Sequence, residues 1–113
     1  MKVCEGRGPR IGVCADIGYW IRSGIDPVAA VSKIGQRLFV VQMHDLHESG
    51  PKGHDVAWGT GVGKTRAFIE EIHRHGIKPK MFGLEYSYDW FDSMPEVEES
   101  ARFFDKVTLE LAK

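Results

Sequence analysis

The strictest constraint on what this chain can fold into is an alternation that occurs three times. A short apolar run ends on a polar group, a loop follows, and a stretch with helical spacing comes next. The runs are Arg10 to Ala15 (RIGVCA), Arg37 to Met43 (RLFVVQM) and Lys80 to Leu84 (KMFGL). Each is short and bounded by turn signals, which suits a buried strand. Asp26-Pro27 opens the first full helix, DPVAAVSKIG, because Asp accepts hydrogen bonds from free N–H groups and Pro fits the first helical position. Gly35 stops it. IGYWIRSG, before it, reads as a loop or short helical turn. From Lys64 to His75, Ala67, Phe68, Ile69 and Ile72 have helical spacing, and Gly76 is the C-cap. Ser93 and Glu96 form a capping box with Pro95 in the first turn. The last helix runs to about Ala112, with Val97, Ala101, Phe104 and Val107 on one face.

Strand and helix thus alternate at roughly 30 to 45 residues per unit, the βαβ pattern of a parallel sheet. The expected fold class is α/β with three parallel strands. Residues 1–113 are expected to form a single domain, with 1–9 as an N-terminal loop. A chain of 113 residues that is 42% hydrophobic and 27% charged has material for one ordinary core. A net charge of -1 gives no basic face for nucleic acid. No apolar run approaches the ~20 residues that span a bilayer, and MKVCEGRGPR lacks a signal-peptide core, so no membrane partner is expected. Cys4 and Cys14 have neither disulfide-scaffold numbers nor zinc spacing, which fits reduced thiols in a cytoplasmic protein.

Side chains alternate across a strand, so each strand has two faces. One face carries Ile11, Val13 and Ala15, then Phe39, Val41 and Met43, then Phe82 and Leu84. The opposite faces end in Asp16, in Gln42 and His44, and in Glu85. Leu38 and Val40 share the second of these faces. Three neighbouring parallel strands would set these groups on one side at one level, a donor set suited to a divalent cation. Either acid alone is accounted for by capping the turn after its strand. The three on matching faces favour a metal site.

The stretch from Val40 to Lys64 places His44, Asp45, His47, Glu48, His54 and Asp55 within twelve positions. WGTGVGKT at its end imitates a phosphate-cradling P-loop. However, the required first glycine falls on Trp58, and GHDVAW ahead of it is loop-like rather than a strand. A helix N-terminus after Gly63 could attract a phosphate, and glycines for a tight turn explain the segment equally well.

The segments RIGVCADIGYW, VQMHDLHE, GHDVAWGTG and GLEYSYDW resemble the sugar phosphate isomerase/epimerase family, the xylose isomerase-like TIM barrels. The resemblance runs from about residue 10 to the last helix. It implies an eight-stranded barrel with a divalent cation (Mn, Mg, Co or Zn) held by Glu, Asp, His and Glu at the C-terminal strand ends. Asp16 and Glu85 match two of these ligands. The family's HxxD pattern, set by Asp45, puts Gln42 where His is usual, and His44 is two residues on, on the same face. Tyr19 stands where a second His is frequent. His54 and Asp55 match a His-Asp pair ahead of the WGTG turn. The resemblance thus assigns Asp16, Gln42, His44 and Glu85 to the metal, and Glu85 also to proton transfer. It puts Tyr19, Trp20, His47, His54 and Asp55 near substrate, with His47, His54 and Asp55 either there or one layer behind the metal.

A complete barrel takes roughly 250 residues, so this chain is expected to be the C-terminal part of one. Three strands alone leave two open edges and an exposed barrel face. Homo-oligomerisation or a complementary barrel half is therefore expected. The function implied is isomerisation or epimerisation of a keto or aldo sugar, or its phosphate, through a metal-stabilised enediolate. The alternatives are a non-catalytic remnant that binds sugar, metal or a partner chain, and a metal-dependent lyase or hydrolase of oxidised sugars.

Overall fold

A computed structural model describes residues 2–113. Three strands form one parallel sheet in the order β1-β2-β3: β1 is Val13–Asp16, β2 is Leu38–Met43 and β3 is Met81–Leu84. Helices α1 (Ile17–Arg22) and α2 (Pro27–Ile34) connect β1 to β2. Helix α3 (Thr65–Arg74) connects β2 to β3, and α4 (Met94–Leu111) follows β3. The expected α/β order is observed. β1 starts later than RIGVCA and includes Asp16, whose carboxylate accepts the Tyr19 N–H at 3.0 Å and starts α1. Within the expected N-terminal loop, Lys2–Cys4 form a 3-10 turn. The Arg37 guanidinium holds the segment that follows by bonding the carbonyls of Arg7, Gly8 and Ile11.

The helices cover one face of the sheet. Ala15, Val41 and Met43 are buried in one cluster with Val31, Phe68 and Val107. Each fully buried side chain of the Val or Phe kind contributes about 1.5–3 kcal/mol of transfer free energy. The other face is open: Cys14 is exposed, Met81 is 51% exposed, and Val40 and Gln42 are half-buried. Among the described residues, no helix is long and apolar enough to cross a membrane.

The expected facing of β2 is wrong at its start. Val13 pairs with Leu38 but Cys14 pairs with Val40, so Phe39 is an extra residue at a bulge. A one-residue slip exchanges the two faces of a strand. Leu38 therefore joins Val41 in the buried cluster. The Phe39 ring instead lies over Gly12, where a Cβ would overlap it.

Two expectations for α4 also fail. Ser93 has helical backbone angles (φ -104°, ψ -1°) and makes no side-chain cap bond, so the capping box does not form. A capping side chain needs the extended backbone that Ser93 lacks. The expected face holds at Phe104, which packs on the core, and at Val107, which is buried, but fails at Ala101, which is exposed while Ser100 beside it is buried. Ser100 is buried because its hydroxyl is fully used. It donates to the Glu96 carbonyl at 2.7 Å and accepts the Trp58 N–H at 3.1 Å, joining α4 to the loop after β2. Ser100→Ala leaves that buried N–H unpaired and should cost about 1–3 kcal/mol. Urea unfolding measures this, and a loss below about 0.5 kcal/mol, within the usual surface range, would show that water or a rotated loop replaces the bond.

Candidate metal centre

The sheet register fixes the floor of the site. Asp16, Gln42 and Gly83 lie on one rung, at the C-terminal ends of adjacent strands. His44 is two residues beyond Gln42, and Glu85 two beyond Gly83, so both project from the same face one level higher. His44 Nε2 is 3.3 Å from Glu85 Oε2 and 3.6 Å from Asp16 Oδ1. One donor atom from each of Asp16, His44 and Glu85 lies within 4.8 Å of the other two. Gln42 shares the rung of Asp16, below His44 and Glu85. Its Oε1 leans over Gly83, where a Cβ would stand 2.7 Å away.

His44 is 3% exposed, and its two nitrogens differ. Nδ1 lies 2.6 Å from Asp55 Oδ1. Nε2 is buried and has no hydrogen-bond partner. Burial pushes the His44 pKa down, but the Asp55 bond and the charges of Asp55, Asp16 and Glu85 outweigh it, and the net shift is upward. For Asp55, burial raises the pKa, and its bonds to His44 and Ser87 bring it below the ordinary carboxylate value. In the tautomer whose Nδ1–H donates to the ionised Asp55, the Nε2 lone pair faces two carboxylates. That arrangement of like charges needs a positive centre, either a proton on Nε2 or a divalent cation. A histidine oriented by a carboxylate behind it is the usual outer arrangement of metal sites.

Asp55 is 1% exposed and stands behind His44, away from the open side of the site. Its carboxylate meets His44 through Nδ1, the ring nitrogen other than the one near Asp16 and Glu85. Its Oδ2 accepts the Ser87 N–H at 3.1 Å and the Ser87 hydroxyl at 2.8 Å, while its carbonyl accepts the Tyr86 hydroxyl at 3.3 Å. Ser87 and Tyr86 were not singled out in the sequence. The signal present was their position just after Glu85, in a loop otherwise notable for aromatics.

The remaining residues expected near substrate divide. His47 and His54 stack face to face with ring centres 3.8 Å apart, beside the Leu46–Asp55 bridge. Tyr19 is 68% exposed at the start of α1, next to Asp16. Trp20 is not at the site. It packs on the core and lines a groove with Val13 and Ala30, because successive helix residues point about 100° apart.

The glycine loop has an occupant from its own chain. Asp45 is buried, and its carboxylate accepts N–H groups from Leu46, Gly59, Gly61 and Gly63 at 2.8–3.0 Å. A Cβ on Gly61 would stand 2.5 Å from Asp45 Oδ1 and overlap the Leu46 carbonyl oxygen. The three glycines close around Asp45 and carry the chain into α3.

The family model "Xylose isomerase-like TIM barrel" matches residues 1–107. Among solved structures, the xylose isomerase domain protein from Planctomyces limnophilus superposes with a TM-score of 0.76 at 19% identity. The superposition covers 94% of this chain and 40% of that one, so the chain spans less than half the length of that relative. No curated protein sequence matches the chain.

Proposed function

The chain belongs to the xylose isomerase-like TIM barrel family, and from that premise we propose that it carries part of the active site of a metal-dependent sugar isomerase or epimerase. One observation supports this most. Asp16, His44 and Glu85, from the ends of three adjacent parallel strands, converge with a buried and unpartnered Nε2 among them. The donors fit a hard or borderline divalent cation such as Mn2+, Mg2+, Co2+ or Zn2+. When bound, such an ion polarises a sugar carbonyl and makes the adjacent C–H more acidic.

The chain's own residues would supply the rest. Asp55 holds the His44 tautomer and ring plane. Asp16 is fixed by its bond from the Tyr19 N–H. Glu85 has a half-exposed side chain, the most accessible of the three acceptors, and would move the proton at the substrate carbon. His47 and His54 stand on the substrate side of the loop, within reach of sugar hydroxyls.

The test is exchange of solvent deuterium into the C–H beside the carbonyl, over a panel of sugars and sugar phosphates, with and without each cation. Metal-dependent exchange into at least one substrate is expected, and its loss in Glu85→Gln would follow. A panel on which the protein in its native assembly exchanges nothing contradicts the catalytic assignment. A second function, a non-catalytic sugar- or metal-binding remnant, is favoured by Gln42 and Tyr19 at positions where the family resemblance implies histidine. Sugar binding without exchange would select it.

A further inference from the structure

The loop after Glu85, YSYDWFDSM, is tied to the metal centre and then leaves it. Ser87 and Tyr86 are bonded to Asp55, which also holds His44. Tyr88 stacks on His54 with ring centres 3.9 Å apart and planes within 10°. With the His47–His54 pair, this makes a ladder of three flat rings beside the site. Asp89 then takes a left-handed backbone (φ 52°), and its carbonyl accepts the Asp92 N–H at 3.1 Å. The tip of this turn carries Trp90, 79% exposed, and Phe91, fully exposed.

Turn tips ordinarily carry small or polar residues, because exposed rings there lose burial without any packing in return. Two large rings at a strained turn, close to a site, mark a binding surface. From Glu85 to Pro95 the chain has three acids, Glu85, Asp89 and Asp92, and no Lys or Arg. Carboxylates accept hydrogen bonds from sugar hydroxyls and repel a phosphate. Flat rings offer a face on which the apolar C–H side of a pyranose can lie, with polar groups beside it to fix its orientation.

We infer that Tyr88 and Trp90 form an outer subsite for a second, uncharged sugar ring, so that the substrate is a neutral glycoside or disaccharide rather than a sugar phosphate. The inference rests on the proposed sugar chemistry for its setting but not on the metal. Phe91 and the acids of the turn would rim the same subsite, three to seven residues from Glu85.

Ligand-observed NMR titration of the metal-free full chain tests this, with cellobiose, glucose and glucose 6-phosphate as probes. Cellobiose should bind about tenfold more tightly than either single-ring probe, the size of effect one aromatic contact supplies. Trp90→Ala should bring cellobiose down to the level of glucose, and Trp90→Phe should retain most of the preference. Both are surface changes that leave the core untouched. Equal affinities in the wild-type chain, or a preference unchanged in Trp90→Ala, would overturn the proposal. So would a Trp90→Ala change in sedimentation with no change in sugar affinity, because the turn would then seat a second copy. No metal is present in this titration, so a failure of the metal centre leaves its outcome unaffected.

Discussion

Asp45→Ala should destabilise the protein by about 3–5 kcal/mol, the cost of removing one partner from a buried charged network. Four backbone N–H groups converge on this carboxylate, and they belong to residues spread from Leu46 to Gly63. Removing it leaves up to four donors facing a cavity. An average domain has only about 5–15 kcal/mol in total, so the loop from His44 to Lys64 should lose its shape before the sheet does. Asp45→Asn keeps the volume but turns one acceptor into a donor that faces other donors, and about half the loss is expected. Burial pushes the Asp45 pKa up, while the four N–H groups pull it back without fully cancelling the rise. Urea unfolding of both variants, with hydrogen exchange at Gly59, Gly61 and Gly63, measures the effect. A cost below about 1 kcal/mol for Asp45→Ala would mean that the loop is held by something else.

The second large effect concerns the metal. His44→Gln and Glu85→Gln should each weaken divalent-cation binding on the order of a hundredfold or more, since even outer partners are worth 10–100-fold. Asp55→Ala should fall within that outer range, because Asp55 acts through the His44 ring rather than on the ion. Tyr19→Phe should change binding little, since Tyr19 contacts Asp16 through its backbone N–H. Equilibrium dialysis against Mn2+ and Co2+ reads all four. An Asp55→Ala affinity equal to wild type would show that the His44 orientation needs no carboxylate behind it. An affinity lower than that of His44→Gln would place Asp55 on the ion itself.

Much of this arrangement was legible from alternation alone. A period of two along three apolar runs puts Asp16, His44 and Glu85 on one side, and one donor atom of each lies within 4.8 Å of the other two. The alternation misled where a bulge intervened. Nothing in RLFVVQM marks Phe39 as the extra residue, because the bulge is set by pairing with β1 and not by local propensity. Ser100 was overlooked for a related reason. A hydrophobic stripe cannot reveal a polar residue that is buried to serve a backbone N–H 42 positions away. Asp55 and Asp45 lie in a loop with no periodicity, so their roles come only from long-range contacts. A clue to Asp45 was present in the spacing of Gly59, Gly61 and Gly63. The segment turns around the carboxylate, with Gly59 at φ 87°, and the N–H groups of the three glycines meet one acceptor. Trp20 follows Tyr19 directly in the chain, and one step along a helix is enough to turn its ring toward the core.

Asp16, His44 and Glu85 are proposed to hold one divalent ion together, with His44 bound through Nε2. Electron spin-echo spectroscopy of the Mn2+-loaded protein tests this most directly, because it detects imidazole nitrogen coupled to the ion. The expected result is one coupled histidine nitrogen in the wild-type chain and none in His44→Gln. A wild-type spectrum without nitrogen coupling, or a coupling that survives in His44→Gln, would contradict it.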